Sequence, residues 1–168
     1  MASGDMSSES KRNGDGMTSA RRRSPLTVFL DRHDIPFRAA GEDGKSLTVA
    51  KGPANACRAV LLRTDRGWRM AMIPAERKLD IMKAREALAE DRLRLATESE
   101  TATLFPEFEL GSLPPIGPHY AHPELFDQRL LDNAEVLLAS GRSAERVLVD
   151  PRSIVSVGQP TVADLCED

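Results

Sequence analysis

The sequence predicts a single mixed α/β (α+β) domain, on three observations. Short apolar runs bounded by turn residues recur along the chain, and the sharpest, Ala59-Val60-Leu61-Leu62, reads as a buried strand. Between these runs lie short helical patterns opened by capping residues, as at Ser24-Pro25, Asp80 and Thr97-Glu98-Ser99-Glu100. Several connections have hairpin length, Asp65-Arg66-Gly67 being the clearest turn. Strands interrupted by short helices and joined this way favour a mixed layer over a doubly wound parallel sheet.

Composition bounds the function classes. A chain of 168 residues with ordinary apolar and charged fractions is one domain with tails, long enough for a real core. A net charge of -3 gives no global reason to expect a polyanion partner, although a small RNA-contacting domain can use a local basic face. Two cysteines, Cys57 and Cys166, argue against a disulfide framework and fit a reducing compartment. No apolar run approaches membrane-spanning length and no apolar signal core opens the chain, so a soluble, cytoplasmic protein with no membrane partner is expected.

Taken in order, residues 1–23 are Ser-, Gly- and Asp-rich without apolar periodicity and read as a disordered tail. Their Arg21-Arg22-Arg23 run either touches RNA phosphate or simply solubilises the tail. Ser24 caps a helix with Pro25 at its first position, and Leu26, Phe29 and Leu30 share one face until Asp34-Ile35-Pro36 ends it. Residues 37–40 form a short strand, 41–45 a turn and 46–50 a second strand. The Ala59–Leu62 strand returns after Asp65-Arg66-Gly67 as Trp68 to Ile73, with Trp68, Met70 and Met72 on one face as core, and Pro74 stops it. Asp80 caps a helix of about ten residues carrying Ile81, Met82, Ala84 and Leu88. A brief Arg94-Leu95-Ala96 strand leads into the Thr97–Glu100 capping box, whose helix Pro106 closes. Leu125-Phe126 and Glu135 to Leu138 read as strands around a turn at Leu130 to Asn133. Arg146 to Val149 is a further strand, Asp150-Pro151 opens a last helix through Val157, and residues 159–168 are expected to fray as a tail.

One stretch resists both periodicities. Leu110-Gly111-Ser112-Leu113-Pro114-Pro115-Ile116-Gly117 joins two φ-restricted prolines to two permissive glycines, giving a rigid loop with little side-chain bulk. Alone it reads as a connection between strands. Its company is Cys57-Arg58-Ala59-Val60-Leu61-Leu62-Arg63, Ala71-Met72-Ile73-Pro74-Ala75 with Lys78-Leu79-Asp80, Arg94-Leu95-Ala96-Thr97, Phe126-Asp127-Gln128-Arg129-Leu130-Leu131 and Ala139-Ser140-Gly141. In this order the motifs resemble the YbaK family of aminoacyl-tRNA deacylase domains, which includes the editing insertion of bacterial prolyl-tRNA synthetases. The resemblance covers residues 24–158.

The resemblance implies a compact, curved mixed sheet flanked by helices. It implies a trans-acting hydrolase that cleaves the ester of a mischarged aminoacyl-tRNA, with the acceptor end of tRNA as substrate and an aminoacyl-tRNA synthetase as a further partner. No DNA partner is expected, and the sequence leaves the oligomeric state and the edited amino acid open. An activated ester needs its carbonyl held, its oxyanion stabilised and one water admitted. Backbone N–H groups around Gly111 and Gly117 suit the oxyanion, with Pro115 and Ile116 lining the substrate. Members of the family carry a lysine on the first hairpin strand, and Arg58 stands in its place here. An arginine acts as an electrostatic clamp but stays protonated and shuttles no proton. Two readings of Arg58 carry equal weight: a working active-site cation, or a rim arginine paired to a carboxylate such as Asp127. Lys51 substitutes only if the intervening loop folds back over the pocket. The family usually has a longer segment, with a helix, between the first helix and the hairpin, so its shortening leaves substrate identity open.

Where some members have a serine before the small-residue-Gly pair, this chain has Ala139, followed by Ser140 and Gly141. Ser140 either bonds a substrate amine or satisfies a strand-end backbone group. Asp127 either orients the loop or, the reading preferred here, caps the turn at Arg129. Other chemistries fare worse. His33, His119 and His122 lack a third ligand at metal spacing, and no metal or other cofactor is expected. Cys57 sits in an apolar strand and reads as an inert core thiol. No phosphate-cradling glycine loop and no serine elbow is present. The alternative from another class is a catalytically impaired module of the same fold that binds tRNA, a synthetase or a small amino-acid-like ligand.

Overall fold

The hairpin at the centre of the computed structural model follows directly from its sequence. β2 (Cys57–Thr64) and β3 (Gly67–Pro74) pair antiparallel from Cys57↔Pro74 to Thr64↔Gly67. Thr64 Oγ1 donates to the Gly67 carbonyl and accepts from Arg66 N–H, and Gly67 takes φ +124°, a value that favours glycine. Both faces of β3 are covered, so Met70, Ala71, Met72 and Ile73 are all buried. Trp68 is the exception in the expected Trp-Met stripe. It is half-buried, with the Arg63 guanidinium 5.0 Å from its ring centroid.

The structure describes residues 24–40, 55–108, 113–114, 124–141 and 145–168. The tail at 1–23, the turn and strand expected at 41–50, Lys51 and residues 115–123 lie outside the described residues. Within them, α1 (Pro25–Arg32) begins at its Ser24 cap and buries Leu26, Phe29 and Leu30. β1 (Phe37–Ala40) follows. α2 (Ile81–Leu88) starts at Asp80, whose Oδ1 accepts from Met82 and Lys83 N–H, and stops short of the expected length because Ala89 turns left-handed at φ 54°. β4 (Leu93–Leu95) leads to α3 (Glu98–Leu104), opened by the expected Thr97–Glu100 capping box. β5 (Leu125–Asp127), a 3-10 helix at Gln128–Asp132, β6 (Val136–Ala139), β7 (Arg146–Val149), α4 (Pro151–Gly158) and β8 (Thr161–Ala163) complete the order.

The expected curved sheet is realised as two sheets in one mixed α/β domain. The larger has strand order β4-β2-β3-β5-β8, antiparallel around the hairpin and parallel from β3 outward. The smaller, β1-β7-β6, is antiparallel. β5 and β6 therefore do not form the hairpin that their spacing suggests, because the 3-10 turn sends them to different sheets. A parallel bridge, Ala56↔Leu137, ties the sheets together, with Leu137 N–H donating to the Asn55 carbonyl at 3.0 Å. Two apolar clusters result. One joins α1, α4 and the small sheet to Cys57, Met72 and Phe126, and the other joins α2 to Val60, Leu62, Ala71, Ile73, Leu125, Leu165 and Cys166.

The C-terminal segment corrects the expectation of a frayed tail. β8 adds to β5 in parallel, and Leu165 and Cys166 have no exposed surface. The physical reason is a ladder beyond the strand: Asp80 N–H donates to the Leu165 carbonyl at 2.7 Å and Glu167 N–H to the Lys78 carbonyl at 2.9 Å. Burial of two apolar side chains with their backbone groups paired offsets the ordering cost that polar, Pro-containing residues 159–161 imply on their own.

Candidate active site

Arg58 lies at the start of β2, on the face it shares with Val60 and Leu62. Partial burial pulls its pKa below the ordinary value, an effect the nearby Cys166 sulfur opposes. Its Nη2 donates to the Arg77 carbonyl at 3.0 Å. The alternative of an ion pair with Asp127 is not realised, since Asp127 bonds elsewhere. A guanidinium has five donors, so one bond to a carbonyl fixes the group in place and leaves others to meet a ligand.

Asp127 is fully buried and caps the 3-10 turn as expected, with Oδ1 accepting from Arg129 N–H at 2.9 Å. It does more than cap. Oδ2 accepts from Leu165 N–H at 2.8 Å and from the Cys166 thiol at 3.3 Å, and Arg129 closes an ion pair at 3.1 Å. Arg129 also reaches Asp164 at 2.8 Å, and Lys83 reaches Asp164 at 2.9 Å. Hydrogen bonds from Lys83 and Arg129 hold the Asp164 carboxyl well below the usual carboxylate range. Asp127 is thus the hub that locks the C-terminal ladder to the sheet. Residues 159–168 carry one apolar signal, Leu165 with Cys166, and nothing that names Asp127 as its partner.

Ser140 and Gly141 follow β6. Ser140 is fully buried and its Oγ donates to Glu145 Oε2 at 3.2 Å, with the Glu145 carbonyl at 3.4 Å. Gly141 has φ +106°, and a Cβ there would sit 2.8 Å from Phe108 Cδ1. Phe108, stacked on Phe105 at 5.8 Å, is the last described residue before the Gly/Pro stretch, and its ring packs against Gly141. The Phe105-x-x-Phe108 pair is the residue set that motif reading missed. Of the loop itself, Leu113 is half-buried and Pro114 buried, while Gly111, Pro115, Ile116 and Gly117 lie outside the described residues, as does Lys51.

The sheet bridge relates these pieces. Arg58 is two residues beyond Ala56, and Ser140 three beyond Leu137, along strands that run parallel from the Ala56↔Leu137 bridge. Three residues of strand span about 10 Å, so the cation and the Ser140-Gly141 turn lie to the same side of that bridge. Burial and the neighbouring Asp127 push the Cys166 thiol up to about 12, and burial pushes Cys57 up as well, so neither thiol is a nucleophile at neutral pH. Among the described residues no group of three His, Cys, Asp or Glu side chains could hold a metal ion, and no helix is long and apolar enough to cross a membrane.

A family model described as "Aminoacyl-tRNA editing domain" matches residues 44–156. No functionally curated protein matches the sequence. Solved structures with the same fold include a proposed trans-editing enzyme for prolyl tRNA synthetase, 21% identical with TM-score 0.70, covering 86% of this chain and 96% of its own. A hypothetical protein, also 21% identical, superposes with TM-score 0.73 over 85% of this chain and 99% of its own. A scaffold protein used for presenting grafted linear epitopes is 20% identical, with TM-score 0.69 over 86% of this chain and 96% of its own.

Proposed function

Because the chain belongs to the aminoacyl-tRNA editing domain family, we propose that it clears mischarged aminoacyl-tRNA in trans by hydrolysing the ester between amino acid and terminal ribose. Water adds to the ester carbonyl, the acyl carbon–oxygen bond breaks, and free amino acid and the ribose hydroxyl leave. The protein's part is placement and charge stabilisation. Backbone N–H groups around Gly111 and Gly117 receive the oxyanion, and Arg58 supplies a fixed positive charge to the carbonyl or the adjacent phosphate. Pro115, Ile116 and the Ser140-Gly141 turn border the aminoacyl group, and pocket size excludes larger ones. The acceptor end of tRNA is the partner, a synthetase supplies the substrate, and the cytoplasm is where both are met.

One observation carries this reading: a partly desolvated guanidinium, anchored on the Arg77 carbonyl, lies to the same side of the Ala56↔Leu137 bridge as the Ser140-Gly141 turn, against which Phe108 packs. Partial burial matters because a charge withdrawn from water acts more strongly on a developing oxyanion. Deacylation measured over a panel of mischarged tRNAs tests it. Arg58→Ala and Gly111→Ala each lower kcat/KM by about 10²-fold, the usual loss for one oxyanion contact, while Arg58→Lys, which keeps the charge but divides no donors between carbonyl and ligand, loses less than Arg58→Ala. tRNA binding without turnover in the parent chain, with Arg58→Lys still inactive, favours the impaired binding module instead.

A further inference from the structure

The outer end of the central hairpin carries a row of side chains that editing chemistry does not use. Trp68 of β3 stands directly opposite Arg63 of β2, and Arg63 directly opposite Arg94 of β4, so all three project from one face in a line about 10 Å long. Arg63 and Arg94 form a like-charge cross-strand pair, an arrangement that costs sheet stability. Arg94 is neutralised by a bidentate pair with Glu100, at 2.8 and 2.9 Å. Arg63 makes no ion pair among the described residues. Its guanidinium lies over the Trp68 ring at 5.0 Å, and the residue is exposed. Arg92, just before β4, is likewise exposed and has no ion pair among the described residues. Of the acids in the adjoining turns, Glu90 is buried against Arg66 and Arg69 and Glu100 is on Arg94, while Asp65 in the hairpin turn and Asp91 beside Arg92 are exposed and make no ion pair among the described residues.

We infer that this Trp68–Arg63 platform is an RNA-docking surface, taking a single-stranded nucleotide of the tRNA acceptor end by base stacking and phosphate contact. An indole under a guanidinium offers both groups that a nucleotide needs: a π-face, and a planar fork that meets phosphate bidentately. The Arg63 fork, in no ion pair among the described residues, offers a local phosphate contact in a chain whose net charge of -3 gives no global one. Five residues of strand separate Arg63 from Arg58, about 17 Å, and the odd spacing puts the two on opposite faces of β2, so an RNA that meets both passes around the outer end or the β4 edge of the sheet. The inference takes its RNA from the proposed editing function, but docking needs no hydrolysis, so the two fail separately.

Trp68 is the single tryptophan of the chain, which makes its fluorescence a reporter of this surface alone. The full chain is titrated with deacylated tRNA and with a short fluorescein-labelled RNA ending in CCA. Trp68 emission is quenched on saturation. By anisotropy of the labelled RNA, Trp68→Ala binds about tenfold more weakly. Arg63→Gln binds more weakly with a salt slope reduced by about 0.7, the value for one lost single-strand phosphate contact, whereas Arg38→Gln, on the other sheet, binds as the parent does. Retained urea midpoints show that the variants fold, and Arg63→Lys, which keeps the charge, recovers the salt slope. RNA binding that leaves Trp68 emission unchanged, or an Arg63→Gln salt slope equal to the parent's, overturns the assignment. Quenching without deacylation by the parent chain sustains it and counts against the editing reaction.

Discussion

Replacing Gly141 by alanine tests the contact between the β6 turn and Phe108 most directly. Two penalties act at once. The backbone angle of +106° lies where a Cβ is strained, at a cost of order 1–3 kcal/mol. The new methyl would also sit 2.8 Å from Cδ1 and 3.2 Å from Cε1 of Phe108, so the ring must move. Displacing a packed aromatic costs about 1–3 kcal/mol, toward the lower end here because Phe108 is half-buried. The sum is about 2–4 kcal/mol, a large share of the stability of an ordinary domain. Urea denaturation of the parent, Gly141→Ala, Phe108→Ala and the double variant separates the terms. With the ring removed only the backbone strain remains, so the double variant is more stable than the two single losses predict, by about 1 kcal/mol or more. Deacylation by Gly141→Ala falls further than its folded fraction accounts for, because the displaced ring shifts the Ser140-Gly141 turn. A loss under about 1 kcal/mol, or strictly additive singles, refutes the Phe108–Gly141 contact as a support of that turn.

Asp127→Asn removes the charge that Arg129 faces and turns an amide N–H toward either the Leu165 N–H or the guanidinium. Breaking such a buried pair costs about 3–5 kcal/mol, and a thermal or urea midpoint close to the parent's would contradict the hub role. Ending the chain at Gly158 removes β8, Leu165 and the Leu165 and Cys166 contacts of Asp127 together, and destabilises by at least about 3 kcal/mol in the same denaturation assay. Glu100 is held at a pKa of about 2, against an ordinary 4.5, by Arg94 and by the Thr97 N–H. A depressed carboxyl stabilises the fold fully above 4.5 and loses that contribution as pH falls through about 2. Carboxyl NMR titration of Arg94→Gln therefore finds the midpoint moved up toward 4.5. Both cysteines stay unmodified by iodoacetamide at pH 8 in the native protein and react in denaturant, read by intact mass.

Local signals in the sequence located most elements. Ser24, Asp80, Thr97 and Asp150 each cap the helix they were expected to cap, because a side-chain oxygen two or three residues from a free N–H is a local event. The hairpin was equally legible, since an apolar run, a turn and a second run settle register without help from elsewhere. What escaped was non-local. The pairing of β5 with β8 and of Leu79 with Cys166 joins residues far apart in the chain, and nothing in residues 159–168 alone announces a partner. Asp127 was read by its nearest neighbour, Arg129, and correctly so, but its second oxygen faces the far end of the chain. Arg58 was legible as a cation out of place, whereas the carbonyl that fixes it was not, because any backbone carbonyl is chemically the same in sequence.

That carbonyl connects the distant C-terminus to the candidate chemistry. Arg77 N–H donates to the Pro74 carbonyl in the turn after β3, and the next three residues, Lys78 to Asp80, are held against residues 165–167 by the ladder that Asp127 anchors. The acceptor for Arg58 is therefore fixed from both sides: upstream by the hairpin, downstream by the last residues of the chain. A guanidinium bonded to a rigid carbonyl loses little further freedom when a ligand binds, and this favours arginine over lysine wherever the surroundings supply such an anchor. A lysine at position 58 would be a point charge on a flexible stem, carrying its three donors on one nitrogen, whereas arginine divides its donors so that one edge faces the carbonyl and others stay free. The arginine at this position and the buried C-terminal ladder are then two parts of one arrangement, in which the end of the chain helps to hold a charge that β2 alone would leave to wander.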